Sequence, residues 1–176
     1  MYFFIKEKSA NGKFIPANTR DNYFPVYYIE PMSSNEKALG FDHASSEKRL
    51  AALEQAKIRG NKVASAQVTL VQETSSQAGI LIFNPIYNNK PVDNKVGRQH
   101  NLLGFVLLAL SVDDLVLDTS STKKNPLLLH LEDISVPESI ETLYGVKPKN
   151  SNFSRAETIT VAGRHWRITI YSDDVD

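Results

Sequence analysis

The sequence predicts an α+β fold built on antiparallel sheets, and three observations carry that expectation. Strand-like apolar segments outnumber helical ones. The helix with clear signals at both ends, "EKRLAALEQAKIR", is a single segment in the first third of the chain. The stretch "AETITVAGRHWRITIYS" at 156–172 reads as a β-hairpin, and strands joined by tight turns favour antiparallel pairing.

Residues 23–30, "YFPVYYIE", combine aromatic and β-branched side chains, with Pro25 near the start and Pro31 just beyond, and predict an edge-type strand. After a bend, a helix starts from Ser45 or Ser46 as N-cap, with Glu47 in its first turn, Lys57 and Arg59 in its last, and Gly60 behind it. Leu50, Leu53 and Ala56 supply its apolar face. Residues 61–72, "NKVASAQVTLVQ", alternate as a strand does, Val68 and Leu70 facing one way and Gln67, Thr69 and Val71 the other. "ETSSQA" at 73–78 reads as a hairpin loop, and "GILIFNPIY" at 79–87 as the buried return strand, broken near Asn84-Pro85 because proline cannot donate to the ladder.

"NNKPVDNKVGRQHN" at 88–101 has no hydrophobic period and reads as a polar loop. Residues 102–111 form a near-continuous apolar strand, and "SVDDLVLD" looks like one helical turn capped at Ser111, marking a domain junction. The last third holds a strand in "NPLLLHLEDIS" at 125–135 and a long polar segment through Asn152. In the closing hairpin, Ile159 and Val161 stand against Trp166, Ile168 and Ile170 across a turn at Ala162-Gly163-Arg164.

Composition narrows the function. The chain has 176 residues, enough for one sizeable domain or two small ones, and its 41% apolar and 23% charged content is that of a folded globular protein. The 20 basic and 20 acidic residues cancel and are interspersed, which argues against a nucleic-acid footprint. With no cysteine, disulfides, thiolate metal sites and cysteine nucleophiles are excluded. The apolar run "LLGFVLLALSV" at 102–112 is too short for a membrane span of about 20 residues and reads as a buried strand, and the charges of Lys6, Glu7 and Lys8 near the start argue against a signal peptide. The expectation is a cytosolic chain or a piece of a longer one.

His43, His100, His130 and His165 are dispersed without metal-ligand spacing, so no metal site is expected. No G-x-S-x-G surrounds a serine, and the acid pairs Asp113-Asp114, Glu132-Asp133 and Asp173-Asp174 read as solvated turn residues rather than catalysts. Arg49 differs in kind. It lies near the positive end of the predicted helix after a polar bend, where a guanidinium fork could clamp a carboxylate, although a solvated helix-face arginine is the plainer reading. Tyr27, Tyr28, Gln67, Thr69, Gln72 and Phe83 would line a pocket if their strands were neighbours.

"YFPVYYIEP", then "ALGFDHASSEKRLAALEQAKIRGNKVASAQVTLVQE", then "GILIFNPIY" resemble the CHASE domain, the extracellular sensory module of receptors coupled to histidine kinases, diguanylate cyclases and adenylate cyclases; "AETITVAGRHWRITIYS" resembles the end of the same domain. The resemblance implies two PAS-like subdomains, a membrane-distal one at 1–98 that binds a small molecule and a membrane-proximal one at 99–176. It also implies a long N-terminal stalk helix lying outside this sequence, a homodimer in the full-length receptor, and an extracytoplasmic (periplasmic) location with the membrane reached through flanking segments. No cofactor and no catalytic residue are implied.

The family's best-known ligands, the cytokinins, are held by a helical aspartate, a backbone position on a central strand and a threonine on the return strand. Carried over from Asp42 and Gly60, these fall at Arg49, Val71 and Phe83, the last across a two-residue insertion in "ETSSQA". The acceptor and the hydroxyl are both replaced, which disfavours an adenine-like ligand. A guanidinium offers donors only, so the resemblance points instead to a small anionic ligand near Tyr28, Arg49, Ser65, Val71 and Phe83. A small hydrolase using Asp113 and Asp114, or a ligand-free dimerisation module, are the competing expectations.

Overall fold

The computed structural model describes residues 4–71, 79–88, 93–119, 128–151 and 153–172. Two three-residue strands, β1 (Lys6–Lys8) and β2 (Phe14–Pro16), form a short antiparallel ribbon. Short 3-10 turns follow at Glu36–Ala38 and His43–Ser45, and then helix α1 (Glu47–Arg59). A first sheet has the order β3 (Val63–Ala64), β4 (Gly79–Tyr87), β5 (Leu102–Ser111), with helix α2 (Lys95–Asn101) between β4 and β5 in sequence. Helix α3 (Val112–Thr119) leaves β5 directly. A second sheet comprises β6 (Leu128–Asp133), β7 (Glu141–Tyr144), β8 (Phe153–Val161) and β9 (Arg164–Ser172) in the order β7-β6-β9-β8. All the strand pairs in these sheets are antiparallel, so the architecture is α+β.

Strand alternation in β4 places the core. Leu81 and Phe83 point to α1, where they bury with Ala52, Leu53, Ala56, Val63, Val68 and Leu70. Ile80 points the other way and joins Ala64, Val112, Leu131, Leu143 and Trp166, a cluster shared by the two sheets and α3. The amide of Ala64 also donates to the carbonyl of Ala162 at 2.9 Å, a backbone bond from the first sheet to the turn of the second. Phe83, Leu53, Ile80 and Val112 are fully enclosed, and each such side chain contributes roughly 1.5–3 kcal/mol of burial.

Several elements follow the local signals. The helix spans Glu47–Arg59, starts after Ser46 and stops at Gly60, whose φ of 72° is the left-handed conformation that a side chain resists. Its buried stripe is Arg49, Ala52, Leu53 and Ala56, so Leu50 is only half-buried and an arginine takes a core-facing place. The last hairpin turns on Ala162 and Gly163, both at positive φ as a two-residue turn requires, with Ile159 opposite Trp166. Ser111 caps α3 through a 3.4 Å bond to the Asp114 amide, and the helix runs beyond the single turn expected.

Other elements correct the sequence reading. Residues 23–30 are not a regular strand: pairing is limited to a bridge between Pro25 and Asp42, bonds joining Val26 to Phe41 and Gly40, and the His43 amide donating to the Phe24 carbonyl, because Pro25 and Pro31 confine the ladder. The strand expected at 61–72 is regular only at Val63–Ala64; beyond it the Ser65 hydroxyl accepts from the Leu81 amide, and pairing resumes as a bridge between Val68 and Gly79. Strand β4 runs unbroken through Pro85, since past Phe83 it has β5 beside it but no longer β3, and the free side accommodates a proline. The polar segment at 88–101 contains α2, capped by Asn94 and tied to the end of α1 by Arg98 Nε donating to the Ile58 carbonyl at 2.7 Å. The segment read as irregular up to Asn152 contains β7, which pairs with β6 alone. The predicted loop at 73–78 lies outside the described residues. Strand β5, which begins just past residue 99, pairs along its length with β4 but is not the buried strand expected: it is the edge of its sheet, none of its residues is buried, and Leu103, Val106 and Leu108 are exposed. Among the described residues, no helix is long and apolar enough to cross a membrane.

Candidate functional site

Asp42 sets the entry to α1. Its enclosed carboxylate accepts from the Phe24 amide at 2.7 Å and the Ala44 amide at 3.0 Å through Oδ1, and from Arg20 Nη1 at 2.6 Å through Oδ2. Arg20 Nη2 reaches on to Glu7 of β1, which also accepts from Asn18 Nδ2 at 2.6 Å. One aspartate thus caps a 3-10 turn, fixes residue 24 and, through Arg20, ties β1 to the start of the helix. Ser45 Oγ donates to the Asp42 carbonyl at 2.6 Å, and Ser46 holds the N-cap position of α1 without a side-chain capping bond.

Arg49, on the first turn of α1, is 5% exposed. Its guanidinium stacks 4.7 Å from the centroid of the Phe41 ring, and Nη2 donates to the Thr69 carbonyl at 2.7 Å. Nε is buried without a partner, and among the described residues no carboxylate lies within ion-pair distance. A guanidinium has five N–H donors, so one hydrogen bond leaves the cation short of solvation, and burial lowers its pKa to about 10.

An open cleft of about 350 Å³ lies against this arginine. Phe41 and Val68 give it an apolar wall, Ser45, Ser46, Gln67 and Thr69 neutral polar groups, and Lys8, Lys48 and Arg49 charge of one sign. Burial lowers the pKa of Lys8, and repulsion from Arg49 and then Lys37 adds to it. Lys48 is offset by Glu141 at 2.7 Å; Lys8 meets the Phe14 ring and, among the described residues, no acid within ion-pair distance. With the N-terminus of α1 at the same place, the arrangement attracts anions.

His43 stands behind the cleft, edge-on to Phe41 at 5.7 Å and to Phe83 at 5.4 Å between ring centroids. Neither ring nitrogen has a partner, and burial, reinforced by Arg49, lowers its pKa to about 3. The folded state therefore binds fewer protons than the unfolded one between about pH 3 and about pH 6.5, so stability present above that window is lost as pH falls through it. The protein is expected to lose on the order of a few kcal/mol on this account, and His43→Phe, which keeps the ring contacts, to flatten that slope. Urea titrations of both proteins at about pH 7 and about pH 5 check it, and parallel pH slopes would contradict a neutral buried His43.

Of the residues expected to line a ligand site, Arg49 and Val71 gather around Phe41, Val71 being buried with Ala38 and Phe41. Phe83 is 1% exposed, reaches this group through His43, and packs on Phe105 at 6.1 Å. Tyr28 is 73% exposed with its hydroxyl on Glu30, and Ser65 is bound into the sheet by Leu81. Gln67 and Thr69 do line the cleft, Tyr27 is exposed, and Gln72 lies outside the described residues. Lys8, Lys48, Phe41 and Glu141 escaped the sequence reading. Lys48 stood beside Arg49 in "SSEKR" and was legible as a neighbouring cation; Lys8 needed the β1 bridge from Lys6 to Phe41.

Of the remaining candidates, Glu132 and Asp133 are held in ion pairs and the others are placed by their elements or lie outside the described residues. Asp113 and Asp114 open α3, Glu132 pairs with Arg167 at 2.7 Å, and Asp133 binds Arg164 and Ser135. Asp173 and Asp174 lie outside the described residues. His100 is on α2, His130 on β6 and His165 on β9, where its backbone amide donates to Ser135 Oγ at 2.8 Å. No group of three metal-ligating side chains occurs among the described residues.

These features define a class: an antiparallel α+β domain with an open cleft lined by three basic side chains. The CHASE domain model matches residues 2–144, and the chain belongs to that family of sensory domains. The match ends in β7, so the β8–β9 hairpin is joined to the matched region by β9 pairing with β6. The chain is also similar to the hybrid signal transduction histidine kinase A of Dictyostelium discoideum, 22% identical over 92% of this chain, and it spans 9% of that protein's length.

Proposed function

We propose that this chain is the extracytoplasmic, periplasmic sensing part of a transmembrane receptor with a histidine kinase or diguanylate cyclase output. It reads a small anionic molecule in the cleft around Arg49. The observation that carries the reading is Arg49 itself, buried yet supplied with a single hydrogen bond, beside two further cations. Such a cation is stabilised most by a ligand that brings negative charge to it. Family membership and the similarity to a hybrid histidine kinase support the sensory role.

In this reading the chain carries two PAS-like subdomains, one around the first sheet through β5 and the other around the second sheet from α3 onward. The receptor is a homodimer held to the membrane by flanking segments, and any catalytic output belongs to other domains. Ligand binding shifts the population between two arrangements of the subdomains, which requires that one arrangement bind it better. The test is calorimetry of small organic acids against the wild type and Arg49→Ala: binding by the wild type alone is expected. Equal binding by both would remove Arg49 from the site.

A further inference from the structure

Glu141 opens β7 in the second sheet, 93 residues after Lys48, yet its carboxylate binds two residues that line the cleft. Oε1 accepts from Lys48 Nζ at 2.7 Å, and Oε2 accepts from the Gln67 amide at 3.3 Å. Lys48 and Gln67 are both lining residues of the cavity that Arg49 faces. Both oxygens of one protein carboxylate therefore hold donors that an anionic ligand would use. The strand behind Glu141 is short: β7 has four residues, pairs with β6 through a ladder irregular between Leu131 and Glu132, and is otherwise held by Leu143 in the core that the two sheets share.

Resting on the anion-binding reading, we infer that Glu141 is an internal competitor for the ligand and the latch between cleft and second sheet. An entering anion takes Lys48 and the Gln67 backbone amide, Glu141 leaves, and the start of β7 loses its polar tie to the cleft, while Leu143 keeps its place in the shared core. The nine-tenths buried Arg49, with Nε unpartnered, supplies the second anchor for the ligand. The ligand class is a compact dianion. Glu141 offsets one of the cations Lys8, Lys48 and Arg49, and its departure leaves all of them facing the incoming molecule. The two states differ in a named contact, which is what a ligand needs in order to bias a conformational equilibrium.

Inorganic sulfate is the simplest dianionic probe, titrated into the 176-residue chain and its Glu141→Gln variant while the Gln67 amide resonance is followed. Removing the competitor is expected to tighten sulfate binding about two- to fivefold, the scale of a partly exposed ion pair. Saturating sulfate is expected to speed amide exchange at residues 141–144 in the wild type and to leave it unchanged in Glu141→Gln, where it is already fast. Lys48→Gln, which breaks the latch from the other side, is expected to speed the same exchange without sulfate. Equal affinity in wild type and Glu141→Gln, or β7 exchange indifferent to sulfate and to Lys48→Gln, overturns the latch while leaving the anion site standing. Sulfate that binds neither protein overturns both.

Discussion

Replacing Arg49 with methionine is expected to cut anion affinity by about 10- to 100-fold, the scale of charged hydrogen bonds worth roughly 1.5–3 kcal/mol, while leaving the fold as stable as before or more so. The two effects have opposite causes. Arg49 is 5% exposed; its guanidinium donates one hydrogen bond to Thr69, leaves Nε buried without a partner and meets no carboxylate among the described residues, so in the free protein its desolvation is poorly offset. Methionine follows the same path through the core, keeps a favourable contact with the Phe41 ring, and removes the buried charge. The loss of the charged Thr69 bond subtracts roughly 1.5–3 kcal/mol, which relief of the buried cation's desolvation offsets, so the net change in stability should lie near zero or above it. Calorimetric titration and urea unfolding on the same two proteins check both halves. A variant that unfolds about 2 kcal/mol more easily, or that binds anions as well as the wild type, sinks the idea of a destabilised cation kept for its ligand.

Asp42→Ala is expected to cost about 3–5 kcal/mol, a large share of the roughly 5–15 kcal/mol that a domain of this kind possesses. The carboxylate is fully buried and serves two backbone amides and Arg20 at once. Its removal strands the amides of Phe24 and Ala44 and leaves Arg20 with Glu7 as its acidic partner. Asp42→Asn should be intermediate, because an amide oxygen still serves one donor set while its NH₂ group faces a guanidinium that has donors only. Because the same residue positions the 3-10 turn that leads into α1, the loss should be cooperative: chemical denaturation should show a lowered midpoint rather than a local loosening. A midpoint shift worth under about 1 kcal/mol would mean that Arg20 and the two amides find other partners.

The two variants separate what the cleft needs from what the fold needs. Asp42 and Arg49 are seven positions apart across one N-cap, both buried and both charged, yet the first has all its partners within the protein and the second does not. A satisfied buried charge stabilises a structure, whereas an unsatisfied one stores free energy that a ligand releases. That contrast, more than the number of cations, distinguishes the candidate site from the ion pairs of the second sheet, where Arg164 meets Asp133 and Arg167 meets Glu132.

Amino-acid order alone determined the elements whose signals are local. Helix α1 has its acidic first turn, basic last turn and terminal Gly60 within one short segment; β5 is an unbroken apolar run; the β8–β9 hairpin has its turn chemistry between alternating strands. Arg49 was legible for the same reason, being placed by its own helix start. Tertiary structure decided the rest because its causes lie far away in the chain. Helix α2 carries no apolar stripe and is held by Arg98 on the end of α1; β7 exists through its pairing with β6; residues 23–30 have strand-like side chains but lose their ladder to prolines and to Asp42. The cleft is of the second kind. Its Lys8 comes from β1, its Arg49 from α1, its Gln67 from the chain after β3, and Glu141 reaches it from the other sheet, a convergence that no local period encodes and that backbone pairing and shared core burial bring about.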